Sequence, residues 1–183
     1  MLDCGYDPRC ALEVYDSGQV RIEKIVRLIE GCRFGIHDIS RTEPDPASGL
    51  PRFNMPLELG LFLGARRFGT GRQRRKGCLI LDREPYRYQR FISDIAGQDI
   101  AAHDGDVGRL IGRVRDWLGT AAGGTPLPGG KAIAGRFAAF TADLPGLAAA
   151  LRLTVEELTF GNYVTMASEW LRRDLAELGD PLA

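Results

Sequence analysis

Asn54-Met55-Pro56-Leu57-Glu58-Leu59-Gly60-Leu61-Phe62-Leu63-Gly64-Ala65-Arg66-Arg67-Phe68 is the stretch on which the fold turns. Arg33-Phe34-Gly35-Ile36-His37-Asp38-Ile39 stands before it, and Cys78-Leu79-Ile80-Leu81-Asp82 after it. The two flanking runs are short and mostly apolar, and each carries an acid at or near its end. That is how strands buried in a parallel sheet read. The middle run predicts a helix over 54–68. Its core-facing set reads as Leu57, Leu61, Ala65 and Phe68, while Leu59, Phe62 and Leu63 make it apolar nearly all round. Such a helix is buried on most sides.

Working outward, 20–32 carries Ile22, Ile25, Val26 and Ile29 at helical spacing, with Arg21, Glu23, Lys24 and Arg27 on the other face and a stop near Gly31. A short strand is expected at 10–14. The segment 40–53 is a loop broken by Pro44, Pro46, Gly49 and Pro51, and 69–77 is a basic loop. A helix is expected over 86–96, a strand over 98–103 and a helix over 106–118. Val107, Leu110, Ile111, Val114 and Leu118 share one face of that last helix, and Asp106 stands at its start. The order β-α-β-α-β-α-β-α over 1–118 predicts an α/β domain, a parallel sheet with helices on both faces. A Gly-, Pro- and Thr-rich linker at 119–130 leads into a helical extension at 131–183. In the extension Ile133, Phe137 and Phe140 form one apolar face, and Val164, Ala167, Leu171, Leu175 and Leu178 another. Thr154 and Glu157 have the spacing of a capping box.

Composition narrows the function classes. Lys+Arg and Asp+Glu both number 24, so the formal net charge is zero, which argues against a dedicated nucleic-acid binder. No run approaches the length of a membrane span, and the first residues lack the regions of a signal peptide. The four cysteines (Cys4, Cys10, Cys32, Cys78) have no metal-ligand spacing and read as reduced cytoplasmic thiols. Gly129-Gly130-Lys131 lacks the spacing of a phosphate-binding P-loop.

In open parallel sheets ligands bind beyond the carboxyl ends of the strands, so Asp38 and Asp82 mark the rim to inspect. Glu58, the one ionisable side chain between Phe53 and Ala65, has two readings. It is either a carboxylate poised as nucleophile or base, or the acid that favours the first turn of a helix. Asp38 orients a sugar hydroxyl or is an ordinary turn acid. His37 is a half-buried strand residue or a ligand contact. Ser40 and Asn54 cap the loop or touch substrate hydroxyls. The basic run Arg66, Arg67, Arg72, Arg74, Arg75 and Lys76 falls on the opposite rim and reads as a solvated loop or a partner surface.

His37-Asp38-Ile39-Ser40, Asn54-Met55-Pro56-Leu57-Glu58-Leu59-Gly60 and the strand ending at Asp82 together resemble the TIR-like and nucleoside 2-deoxyribosyltransferase-like group of flavodoxin-like domains. The run 32–98, with its RFNMPLELGLFLGA and REPYRYQ segments, is similar to an uncharacterised bacterial branch of that group. The resemblance implies a flavodoxin-like fold in which Glu58 attacks or stabilises the anomeric carbon as an N-glycosidic bond breaks. Asp38 would help it, and His37, Ser40, Asn54 and Asp82 would contact substrate. It implies a nucleotide or nucleoside ligand, no cofactor, no metal, no membrane and no specific nucleic acid. Relative to that group the chain lacks the first strand-helix unit. A non-catalytic nucleotide-sensing or protein-interaction module, pairing as a homo-oligomer through the helices after Gly130, is the competing expectation.

Overall fold

A computed structural model describes residues 1–121, 123–124, 126–177 and 179. Helix α1 (Arg21–Gly31) leads into strand β1 (Phe34–Asp38), helix α2 (Asn54–Phe68), strand β2 (Gly77–Asp82), strand β3 (Ile100–Ala102) and helix α3 (Val107–Ala121). The strands form one parallel sheet in the order β1-β2-β3, with Gly35 opposite Cys78, His37 opposite Ile80, and Ile80 opposite Ile100. The chain is thus a mixed α/β protein with a small parallel sheet.

Side-chain alternation along the strands assigns the two faces. Gly35, His37, Cys78 and Ile80 turn toward α1 and α2, where Ile25 and Ile29 meet Phe62, and Leu59 meets Ile80, Ile39 and Tyr88. Phe34 turns to the other face. It meets the Trp117 ring of α3 edge-on at 5.3 Å, in a cluster with Leu118, Cys4 and Ile133. Gly35 is required by close approach: a Cβ there would lie 2.5 Å from the Phe62 ring.

Helix α2 turns a different face inward from the one its spacing suggests. Leu59 and Phe62 are buried, whereas Leu57 is 56% and Phe68 83% exposed. A helix apolar nearly all round has little sidedness of its own, so its roll is decided by the ring of Phe62 filling the space above Gly35. In α1 only Ile25 and Ile29 are buried, and Ile22 and Val26 are 38% and 40% exposed.

Two predicted elements are absent. Residues 10–14 form a turn closed by the Glu13 N–H to Cys10 carbonyl bond and by the Arg9–Glu13 ion pair. A strand needs a ladder partner, and among the described residues none pairs with the outer edge of β1. The expected helix at 86–96 is two 3-10 turns, Arg87–Arg90 and Ser93–Ile95, broken where Phe91 and Ile92 leave helical backbone angles. Tyr88, Phe91, Ile92 and Ile95 pack on the core at helix-like spacing. The chain enters this segment through Tyr86 at φ 61, in the left-handed region, and Arg87 is anchored by its guanidinium, so a regular helix does not propagate.

Asp106 caps α3 by accepting the Arg109 N–H at 2.6 Å. Helices α4 (Gly130–Ala150) and α5 (Phe160–Glu177) follow. They pack through Phe140, Leu144, Ala148, Met166 and Trp170, with the Trp170 indole donating to Asp143 at 2.8 Å. Helix α4 is tied to the chain start by Arg136, which donates twice to Asp3 at 2.9 Å. Glu157 accepts the Thr154 N–H at 2.7 Å, as the predicted capping box requires, although the element capped is the short 3-10 turn Val155–Glu157. Leu178 of the predicted apolar stripe lies outside the described residues, as do 122 and 125 of the linker and 180–183. Among the described residues no helix is long and apolar enough to cross a membrane.

Candidate active site at the carboxyl rim and the adjoining cleft

Because the three strands are parallel, their carboxyl ends share one rim. Asp38 ends β1, Asp82 ends β2, and His103 follows β3. Asp38 is partly exposed. Its Oδ1 accepts the N–H of buried Ser40 at 2.9 Å and stands 3.5 Å from His103 Nε2. His103 is buried, its Nδ1 accepts the Gly105 N–H at 3.1 Å, and its Nε2 faces Asp38 with no hydrogen-bond partner. No motif in the sequence singles out His103. The signal for it is positional, since it closes the third strand at the level where the two acids close the others.

Asp82 is fully buried. Its Oδ1 accepts the Arg83 N–H at 2.7 Å and two bonds from the Arg87 guanidinium, at 2.8 and 2.6 Å. Its other oxygen, Oδ2, has no partner. Arg87 also donates to the Ile39 carbonyl at 2.8 Å and to Thr42 Oγ1 at 3.1 Å, which pins the loop after β1 against the loop after β2.

Glu58 belongs to a neighbouring cleft. Phe53 precedes α2 without making a cap bond, and Asn54 is its exposed first residue. Glu58 is therefore the fifth helical residue, past the N–H groups that a first-turn acid would satisfy. Helix-start chemistry does not explain it. The side chain is half-buried and makes no hydrogen bond or ion pair among the described residues. Burial pushes its pKa above the ordinary glutamate value, against a smaller opposing pull from Arg21. The cleft has a volume of about 250 Å³ and runs along the unpaired edge of β1, with Arg9, Ile36, His37, Met55 and Phe62 in its walls.

His37 is 7% exposed, and neither ring nitrogen has a partner. Its ring meets Phe62 edge-on at 5.1 Å, and burial lowers its pKa to about 4, so it is neutral at pH 7. Strand alternation sends His37 toward Glu58 and Asp38 toward His103. The fold thus unites Glu58 with His37, and Asp38 with Ser40 and His103, while no hydrogen bond or ion pair joins Glu58 to Asp38. Among the described residues no three His, Cys, Asp or Glu side chains converge as metal ligands would. Comparison of the chain with protein-family models, with curated proteins and with solved structures finds no match.

Proposed function

We propose that this chain is a flavodoxin-like domain of the TIR-like and nucleoside 2-deoxyribosyltransferase-like type, acting in the cytoplasm at the N-glycosidic bond of a nucleotide or nucleoside. The observation that carries the reading is Glu58, an unpartnered, half-buried carboxylate facing a cleft beside a neutral histidine. A carboxylate with no structural partner is free to meet the anomeric carbon.

In the proposed reaction the Glu58 carboxylate attacks C1′ of the sugar. The C1′–N bond breaks and its electron pair passes to the base nitrogen, which leaves neutral if it was a pyridinium, as in NAD, and takes a proton from water if it was a neutral N-glycoside. The resulting glycosyl ester is transferred to water or to a second base, which regenerates the carboxylate. Asp38, set by the Ser40 N–H and by His103, orients a sugar hydroxyl from the rim. Neutral His37 stands in the cleft wall with both ring nitrogens buried, so it shapes the site rather than bonding the substrate. Buried Ser40 acts through the N–H it gives Asp38, exposed Asn54 opens α2, and Asp82 contributes by holding Arg87 against the 39–42 segment.

Incubation with NAD and with deoxynucleosides, beside a Glu58→Gln variant of verified fold, tests the proposal. Base release that falls by about 10²–10⁴ in the variant supports it. The wild-type rate should also decline with acid from a pH above the ordinary glutamate range, because Glu58 acts ionised and its pKa is raised. Intact substrate in every incubation of well-folded protein defeats it.

A second reading, a non-catalytic nucleotide sensor or interaction module, draws on a specific observation. Asp82 is consumed by Arg87, and Glu58 and Asp38 are unjoined. On that reading a nucleotide binds without turnover, or copies pair through the groove that Phe137, Tyr163 and Trp170 line. Calorimetry and light scattering on the same samples separate the two readings.

A further inference from the structure

The amino rim of the sheet carries a feature that the proposed chemistry leaves unused. Arg33 ends the approach to β1, and Lys76 the approach to β2. With Arg72 and Arg75 they line a cavity of about 390 Å³, closed by Gly31 and Cys32. Four of its six lining residues are cationic, in a chain whose acids and bases balance. The charge is therefore concentrated locally rather than inherited from an overall excess.

The arginines are available. Elsewhere in the molecule Arg83, Arg87, Arg115 and Arg136 each have a carboxylate partner. Among the described residues Arg33, Arg72 and Arg75 have none. The Arg33 guanidinium lies over the Phe34 ring, 4.8 Å from its centre, which restrains it at the cavity wall.

Lys76 completes the floor. It is buried, and its ammonium donates to the carbonyls of Ile29 and Cys32 at the end of α1. Those carbonyls are the negative end of the helix, which would repel an anion. The ammonium satisfies them and so offsets that repulsion. Burial holds the Lys76 pKa below the ordinary lysine value, with Arg72 adding to it and Cys32 and exposed Glu30 pulling the other way.

We propose that this cavity is a binding site for a small ligand carrying two or more linked phosphates. Guanidinium forks pair with phosphate oxygens through two bonds at once, and three of them offset the charge of a diphosphate. A nucleic-acid backbone would need a longer basic track. Of the neighbouring cations, Arg74 is turned back onto the Gly69 carbonyl at 2.7 Å. The site lies on the opposite rim from Glu58 and does not depend on catalysis there.

The test is calorimetric titration of the full chain with inorganic pyrophosphate and tripolyphosphate at about 0.1 M salt. Three variants stand beside the wild type: Arg72→Ala with Arg75→Ala, Arg66→Ala with Arg67→Ala as a control outside the cavity, and Glu58→Gln. The exposed positions of all four arginines keep the fold out of the comparison. The expected result is saturable one-to-one binding, weakened about tenfold or more by the Arg72/Arg75 change. The Arg66/Arg67 and Glu58 changes should leave it unmoved. No saturable binding overturns the proposal. So does equal weakening by the two arginine pairs, which would mark a diffuse patch. So does tight binding of a single-stranded oligonucleotide by a chain that ignores pyrophosphate.

Discussion

Asp82 and Glu58 are carboxylates on successive elements of one sheet-and-helix layer, and the fold treats them in opposite ways. Asp82 is sealed in the rim, and Arg87 and the Arg83 N–H meet one of its oxygens. Its task is to join two loops. Glu58 keeps no partner, borders a cleft, and sits beside a histidine whose ring nitrogens are equally unclaimed. A buried polar group that stabilises a fold is paired. One left unpaired costs stability and is the better candidate for chemistry.

The contrast can be broken first at Arg87. Arg87→Ala leaves Asp82 buried without its counter-charge, and urea unfolding should show a loss of about 3–5 kcal/mol. A loss below about 1 kcal/mol would mean that the pair is not what holds the rim together.

His37 tests the other side. Its pKa is about 4 in the fold against 6.5 in the unfolded chain, so between those values the unfolded chain binds more protons. Wild-type stability should therefore be complete above pH 6.5 and decline as the pH falls toward 4, by about 3 kcal/mol from this group. Glu58, raised rather than lowered, acts in the opposite sense. The His37→Phe variant isolates the histidine share: its stability should be flatter between pH 6.5 and 4. Parallel curves for the two proteins would contradict the buried neutral ring.

Gly35 sharpens the comparison by defining the cleft wall. A Gly35→Ala methyl collides with the Phe62 ring, and thermal unfolding should report a loss of about 1–3 kcal/mol. Retention of wild-type stability would show that Phe62 moves freely. The smallest effect belongs to Glu58→Gln. With no partner to lose and a poorly solvated charge removed, this variant should equal wild-type stability or exceed it by up to about 0.5 kcal/mol at pH 7. A large loss would reveal a structural role for the carboxylate and weaken its claim to catalysis.

Much of this arrangement was legible in the residues. The strands around Ile36, Ile80 and Ile100, the helices at 54–68 and 106–118, and the Asp106 cap all follow from periodicity and capping chemistry. The prominence of Glu58 follows from its isolation in an apolar run. The roll of α2 did not follow, because Leu57, Leu59, Leu61 and Phe62 offer an inward face in more than one direction. Nor did the break at Phe91 and Ile92, since Tyr88, Phe91, Ile92 and Ile95 have helical spacing whether or not the backbone between them is regular. The turn at 10–14 replaced a strand because strand identity depends on a partner elsewhere in the chain.

By itself the sequence determined most of the element types, the parallel sheet and the acids at its rim, because periodicity, caps and breakers act within a few residues. Only the tertiary structure decided which of those acids is spent and which is free. Arg87 reaches Asp82 across a tight turn, His103 meets Asp38 from another strand, and Lys76 quiets the end of α1 from more than forty positions away. Pairing and desolvation depend on neighbours that packing alone brings together, and they separate the paired Asp82 from the unpartnered Glu58.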